Sequence, residues 1–233
     1  MDILTNNLFF GIFLCLITFE IGLFISKKIK FPLLNPLLIA LFLIIGFLKA
    51  FNIDFETFNN GAQFINMFLG PATVVLAVPL YKQFNLLKEN FVPILVGITI
   101  GSFIGILSII SLSIFIGLDE IITISLIPKS VTTPIGLEIS KQLGGLTPIT
   151  ILSIVISGIT GAVIAPTMCK IFKITNPVAI GIGIGTASHA VGTSRALEIG
   201  ETEGAMSSLS IGVAGIITVF LAPICYNLFS NFL

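Results

Sequence analysis

The residue types best suited to chemistry lie in one glycine-rich stretch, Gly181–Gly204, which reads GIGIGTASHAVGTSRALEIGETEG. It contains the only histidine of the chain, His189, and the only arginine, Arg195. An imidazole titrates close to neutral pH and can carry a coupling proton. A guanidinium group matches the two oxygens of a carboxylate. The stretch therefore predicts a site for a small anion, with a proton carrier beside it.

Two other segments combine helix-breaking residues with polar side chains: Leu69–Gln83 (LGPATVVLAVPLYKQ) and Pro128–Ser140 (PKSVTTPIGLEIS). Proline at a first helical position leaves the following amides without an intrahelical partner. Such amides direct a positive partial charge at an anion, and neighbouring hydroxyls add donors. In the second segment Lys129 supplies a full positive charge. We expect both segments to be broken helices.

Each candidate group also has a structural interpretation. His189 could simply bond a neighbouring backbone carbonyl, and Lys129 could form an ion pair with Glu138. Arg195 could extend to the outer membrane interface. The glycines could serve close helix packing alone, as small residues do between membrane helices. The sequence leaves these alternatives open.

Composition places the segments in a membrane. Hydrophobic residues make up 55% of the 233 residues and charged residues 9%, and the mean hydropathy is +1.14. A soluble domain carries about 25% charged residues on its surface, so the composition predicts a polytopic membrane protein. Eleven basic and eleven acidic residues cancel, which argues against a nucleic-acid partner. The three cysteines lie in apolar runs, and we expect neither a disulfide nor a metal or cofactor site.

Apolar runs long enough to span a bilayer, which takes about 20 residues, are predicted to be helices. The start of the chain lacks the basic region and cleavage site of a signal peptide, so the first run is expected to be retained. Two further segments, Ile121–Gln142 and Pro177–Leu197, are long enough but interrupted. The uninterrupted runs are Asn7–Ser26, Leu33–Phe51, Phe64–Tyr81, Phe91–Gly117, Pro148–Met168 and Ser207–Phe229.

Loop charges predict the orientation. Lysine-rich loops alternate with acidic loops, and the positive-inside rule places the lysines in the cytoplasm, with the N-terminus outside and the C-terminus inside. If Ile121–Gln142 crossed the membrane, Lys170 and Lys173 would lie outside. The charges therefore favour a re-entrant segment that enters from the outer face and turns back.

The chain also shows internal similarity. At an offset of 115 residues, Gly46 aligns with Gly161 and Gly70 with Gly185. The paired spans run in opposite directions, as in the inverted repeats of transporters, which bind substrate on broken helices at the repeat interface. We predict a single all-α membrane domain, 1–233, with repeats of about 1–117 and 118–233. A second internal similarity has an offset of 60 residues: the segment VTTPIGLEI, which begins at Val131, resembles VGTSRALEI, which begins at Val191.

Three motifs in this order, FLGPATVVLAVPLYKQ, PKSVTTPIGLEIS and GTASHAVGTSRALEIGETEGAMSSLSIGVAGI, resemble the LrgB family over nearly the whole chain. The resemblance implies a multi-pass protein of the bacterial inner membrane that works with a holin-like partner of the LrgA or CidA type. Family members were first described as antiholin-like modulators of murein hydrolase activity and autolysis. A plastid member exchanges glycolate and glycerate, and bacterial members are linked to pyruvate-like acids.

Segments and resemblance together predict a carrier for small monocarboxylates of the pyruvate or glycolate type, coupled to protons. The alternative is an antiholin-like regulator of autolysis that acts through protein partners, and a homo-oligomer fits both. An enzyme is not expected, because the chain has neither a metal-binding HExxH nor a GxSxG motif. The predicted substrate-binding residues are Gly70, Thr73, Lys129, Ser130, Thr132, Thr133, His189, Thr193 and Arg195. The predicted proton-coupling residues are His189, Glu138 and Glu198.

Overall fold

The computed structural model describes residues 7–29, 36–68, 71, 74–75, 77–82 and 84–230, and the regular structure in these ranges is helical. The chain forms two compact units, Met1–Val75 and Leu76–Leu233. The predicted all-α architecture is therefore confirmed for the described residues. The predicted single domain with two inverted repeats stays a prediction.

The first unit contains three described helices, α1 (Leu8–Lys28), α2 (Pro36–Ala50) and α3 (Phe55–Asn66). Helix α1 packs against both α2 and α3. It meets α3 at a pair of glycines, Gly11 and Gly61, where a Cβ on either residue would collide with the backbone of the other helix. Small residues at such a crossing let two membrane helices approach closely.

The second unit has the described helices α4 (Ala77–Lys82), α5 (Phe84–Glu89), α6 (Phe91–Ile116), α7 (Glu120–Leu126), α8 (Thr133–Leu143), α9 (Thr147–Ile171), α10 (Pro177–Ile199) and α11 (Glu201–Phe229). It is built around α10, a broken helix that packs against α6, α9 and α11. Apolar side chains of α6 and α11 form a core at one end, and those of α6, α8 and α11 form a second core.

In the described part of the chain, four helices are long and apolar enough to cross a membrane: α1, α6, α9 and α11. Large apolar side chains on their outer faces, such as Phe115 and Phe220, are exposed, as a lipid-facing surface requires. The predicted span Phe64–Tyr81 is not one helix, because α3 ends at Asn66 and a turn follows at Met67 and Phe68.

Helices α7 and α8 form a hairpin. The N–H of Leu146, just past α8, donates to Ser125 Oγ near the end of α7 at 2.7 Å. A Cβ on Gly136 would lie 3.3 Å from the Pro128 carbonyl oxygen, so the start of α8 lies beside the turn. The two helices have 7 and 11 residues, or about 10 and 16 Å of length, against about 30 Å of hydrocarbon. The chain reverses within Ile121–Gln142, as the loop charges predicted.

Cysteine accessibility tests the re-entrant hairpin. In a chain without the three native cysteines, Asp119→Cys and Gln142→Cys should react with a membrane-impermeant maleimide from the same side, because the hairpin returns to the face from which it enters. Lys173→Cys, beyond helix α9, serves as the control and should react from the opposite side. Reaction of the first two variants from opposite sides would show that the segment crosses the membrane.

Candidate functional site

Helix α10 is broken at His189, in the middle of the glycine-rich stretch. The backbone there has φ 41° and ψ −137°, which is not helical. An L-residue in such a region costs about 1–3 kcal/mol and persists only where its surroundings hold it. The start of α10 is regular, because the Asn176 side chain accepts from the N–H groups of Val178 and Ala179. The predicted interruption of Pro177–Leu197 is confirmed.

The chain also folds back at this break, because Gly181 and Leu197 both lie against the start of α11, beside Glu203 and Gly204. The predicted separation of the acidic residues 198–203 from the lysine loops is therefore wrong, and Lys82 Nζ lies 3.4 Å from the Glu201 carboxylate. The end of α11 lies beside the predicted outer loop, where Tyr226 donates to Glu120, so the prediction that the C-terminus lies inside is wrong as well.

Two hydrogen bonds hold the break. The His189 imidazole is buried, and its Nε2 lies 3.0 Å from the carbonyl oxygen of Ile154 on α9. A carbonyl only accepts, so Nε2 is the protonated nitrogen. The Thr193 hydroxyl donates to the His189 carbonyl at 2.9 Å. A hydroxyl has one proton to donate, so the Thr193 oxygen accepts a hydrogen bond from the Ser207 hydroxyl of α11, with 2.7 Å between the two oxygens. The break is therefore tied to both neighbouring helices.

Two glycines on α9 create the space for the break. A Cβ on Gly158 would lie 2.6 Å from His189 Cε1 and 2.8 Å from Nε2. A Cβ on Gly161, three residues further, would overlap the Ser188 hydroxyl. Side chains at these positions would force α9 and α10 apart. The imidazole reaches the Ile154 carbonyl because position 158 is glycine, and Ser188 fits against α9 because position 161 is glycine.

Ser188 is unusual among the buried hydroxyls. Several buried Ser and Thr side chains in the described helices bond a carbonyl three or four residues earlier, as Ser125 and Ser210 do. Within the described residues, the buried hydroxyls of Ser102, Thr186 and Ser188 have no partner. A buried hydroxyl without a partner costs about 1–3 kcal/mol. These unpaired groups concentrate on α10 before the break and on α6.

A cavity of about 520 Å³ opens between the hairpin, α9 and α10. Among its described lining residues, Lys129 is the one that carries a charge, and its Nζ lies 3.3 Å from Ser130 Oγ. Hydroxyls and hydrocarbon make up the rest of the wall, with Ser188 at the side of the break. The lining residues are Leu126, Lys129, Ser153, Ile156, Ser157, Thr160, Gly161, Ile164, Ala187 and Ser188.

One predicted site residue lines this cavity, and five others lie close to it along the chain or through a hydrogen bond. Lys129 lines it, and His189 is the next residue after the lining residue Ser188. Ser130 contacts the Lys129 ammonium group, and Thr132 and Thr133 are half-buried at the start of α8. The Thr193 hydroxyl stabilises the break through its hydrogen bond to the His189 carbonyl. Their binding roles stay predictions.

The predicted charged residues outside the cavity form exposed pairs. The Arg195 guanidinium group forms a salt bridge with the Glu198 carboxylate on the same helix. On α8, Lys141 Nζ lies 3.3 Å from Glu138 Oε1. Glu138 is thus engaged with Lys141, whereas the sequence suggested Lys129 as a partner. Exposed pairs at this spacing stabilise a helix only slightly. The other two predicted residues, Gly70 and Thr73, lie outside the described residues.

Sequence reasoning did not select the hydroxyls of α9. Ser153, Ser157 and Thr160 share one helix face and line the cavity. Their spacing of four and three residues is the signal that could have identified them. The same spacing occurs on any helix packed against a polar neighbour, so it gains meaning only beside Lys129 and the break.

Comparisons with known proteins cover nearly the whole chain. Residues 15–228 match the LrgB-like family. Antiholin-like protein LrgB of Bacillus subtilis (strain 168) is 37% identical over 225 residues, which are 96% of this chain and 97% of that protein. The protein of the same name from Bacillus mycoides (strain KBAB4) is 38% identical over 220 residues, 94% of this chain and 96% of that protein. No solved structure matches the chain.

Alanine substitution tests the contact between α9 and α10. Gly158→Ala and Gly161→Ala should each destabilise the protein by about 1–3 kcal/mol, because the added methyl group displaces the imidazole or the Ser188 hydroxyl. In a chain without the half-buried Cys15 and Cys169, a thiol-reactive dye that reports exposure of the buried Cys225 during heating would measure this loss. Gly183→Ala is the matched control on α10, since nothing lies within 4 Å of its Cβ position. Equal melting temperatures for all three variants would contradict the packing.

Proposed function

This chain is a member of the LrgB-like family, and we propose that it acts as an antiholin-like membrane protein. The observation that carries this proposal is the similarity to antiholin-like proteins along almost the full length of both chains. In this role the protein restrains murein hydrolase activity and autolysis.

The proposed setting is the cytoplasmic membrane of a bacterium. The relatives are bacterial, and four helices of the described chain have the length and composition of membrane spans. The proposed partner is a small holin-like membrane protein of the LrgA type. Lipid-facing helix surfaces would bind it, because small and polar contacts between helices drive association in a bilayer.

A second candidate function is transport of small monocarboxylates, and the cavity favours it. Lys129 brings one positive charge to a wall made otherwise of hydroxyls and hydrocarbon. A charge in such surroundings requires a partner, and one carboxylate would neutralise it. Non-helical backbone at membrane depth occurs where it is buried in protein or lines a wet cavity. The break at His189 meets this condition, since Ser188 beside it lines the cavity.

Within this second function, His189 is the proposed proton carrier. Glu138 and Glu198 are exposed and engaged with Lys141 and Arg195, so neither faces the cavity. His189 is buried beside the cavity wall, and a proton on its second ring nitrogen would place a charge next to the bound anion. The Ile154 carbonyl holds the first ring nitrogen in both states.

The variant Lys129→Gln separates the two functions. If partner contacts on helix surfaces control lysis, a deletion strain that expresses this variant should resist autolysis as the wild type does. Uptake of labelled pyruvate or glycolate into proteoliposomes should fall at least about tenfold, since the carboxylate loses its charged partner. Lys141→Gln, an exposed hairpin lysine, is the control and should leave both readouts unchanged.

The same experiment has outcomes that contradict each function. If the wild-type chain fails to change autolysis, the antiholin-like role is wrong. If purified wild-type protein, with or without a holin-like partner, takes up no labelled acid, the carrier is wrong. If Lys129→Gln loses both activities together, transport is the primary activity and its effect on lysis is indirect.

A further inference from the structure

One exposed surface of α1 carries a single acidic residue, Glu20, among apolar side chains. Helix α1 packs against α2 and α3, and its buried residues are Gly11, Thr18 and Gly22. At about 100° per residue, Glu20 lies on the opposite side of the helix from these three. Its side chain is exposed. Glu20 and the exposed apolar side chains around it form a surface, the Glu20 face, whose other members are Phe9, Phe13, Leu16, Ile17 and Phe24.

Glu20 lies at the depth of the membrane hydrocarbon. Helix α1 has 21 residues, or about 31 Å of length, which matches about 30 Å of hydrocarbon. Lys27 and Lys28 lie in its last turn, and the Cα atoms of Glu20 and Lys27 are about 10 Å apart along the axis. Helical side chains tilt toward the N-terminus. The Glu20 carboxylate is therefore directed away from the nearer membrane interface.

No described side chain neutralises Glu20. Its helical neighbours at three and four residues are apolar, as Leu16 and Phe24 show. In the described part of the chain, the ion pairs involve other carboxylates, and Lys28 lies over the Phe24 ring. Ionisable residues in membrane spans almost always face a helix bundle or a wet cavity, where they have partners. The Glu20 face therefore requires a cover that brings a partner for the carboxylate.

We propose that the Glu20 face binds a spanning helix of a different membrane protein, which presents a lysine or arginine to the Glu20 carboxylate. The inference rests on the proposed antiholin-like function, in which a membrane partner is bound, and it assigns that contact to one face of α1. Pairing removes both charges from contact with lipid, where each alone is costly. The apolar side chains around Glu20 pack against the same partner helix.

The cations of this chain do not suit this position, so a second copy is not the proposed occupant. In the described part of the chain, Lys82, Lys141 and Arg195 form ion pairs, and Lys129 lines the cavity. The other described lysines lie in the last turn of a helix or just beyond it: Lys27, Lys28, Lys49, Lys88, Lys170 and Lys173. A second copy would place apolar groups or another carboxylate against Glu20. Charge complementarity favours a different protein.

A designed peptide tests the charge pair. The probe is a leucine-rich spanning peptide with one central lysine, and energy transfer from the labelled full chain in proteoliposomes measures its binding. The wild type should prefer it to the same peptide with a central leucine by about 3- to 30-fold, as expected for one polar contact between membrane helices. Glu20→Leu should remove this preference, and Glu20→Lys should transfer it to a peptide with a central glutamate. Glu56→Gln, at an exposed carboxylate in the first turn of α3, is the control and should keep it.

An autolysis assay separates this inference from the proposed function. In a deletion strain with equal amounts of each variant in the membrane, Glu20→Leu should lose the restraint on autolysis. Glu20→Asp keeps the carboxylate and should retain the restraint, as should Glu56→Gln. If Glu20→Leu restrains autolysis as the wild type does, the Glu20 face is wrong and the antiholin-like role stands. If the wild type binds the lysine peptide but leaves autolysis unchanged, that role is wrong and the charge pair stands.

Disulfide crosslinking tests the choice of occupant. In a chain without the native cysteines, Phe13→Cys, on the Glu20 face, should form no more linked dimers in the membrane than Phe115→Cys, on the exposed surface of α6. Efficient linkage of Phe13→Cys alone would show that a second copy covers the face and would overturn the proposal. Equal binding of the lysine and leucine peptides by the wild type would also overturn it.

Discussion

The second unit depends on one hydrogen bond, between the His189 imidazole and the Ile154 carbonyl. A helix that breaks among apolar helices exposes backbone groups that lipid cannot satisfy. The break therefore requires partners from neighbouring helices. The imidazole reaches across to α9, and Thr193 connects the His189 carbonyl to Ser207 of α11.

The bond determines the arrangement around it. It requires glycine at position 158, and the adjacent Ser188 requires glycine at position 161, so that α9 lies directly against α10 and Ser188 lies at the cavity wall. The hairpin contributes Lys129 to the same cavity, and its own position is fixed by the bond from Leu146 to Ser125. An antiholin-like role needs the outer helix surfaces, whereas transport needs this interior. One fold supplies both, so lysis control and anion binding are separable by mutation.

Much of this could be predicted from particular residues. The charges of Lys170 and Lys173 indicated the hairpin, and His189 within a glycine-rich stretch indicated the break. The partner of His189 could not be predicted, because it is a backbone carbonyl 35 residues away and carries no side-chain signal. Ser153, Ser157 and Thr160 resemble any polar helix face until the fold places them opposite Lys129. Arg195 and Glu198 were predicted as substrate-binding and proton-coupling residues. Their exposed pair was not predicted, although a spacing of three residues brings two side chains together on a helix.

The single histidine of the chain allows a direct test of the broken helix. Selective ¹³C and ¹⁵N labelling of histidine, in the purified full chain in lipid bilayers, would give one set of solid-state NMR signals. We predict non-helical Cα and Cβ shifts for His189 and a protonated Nε2 in a hydrogen bond, shielded from water. Helical shifts together with an imidazole open to water would show that α10 is continuous and would contradict the account.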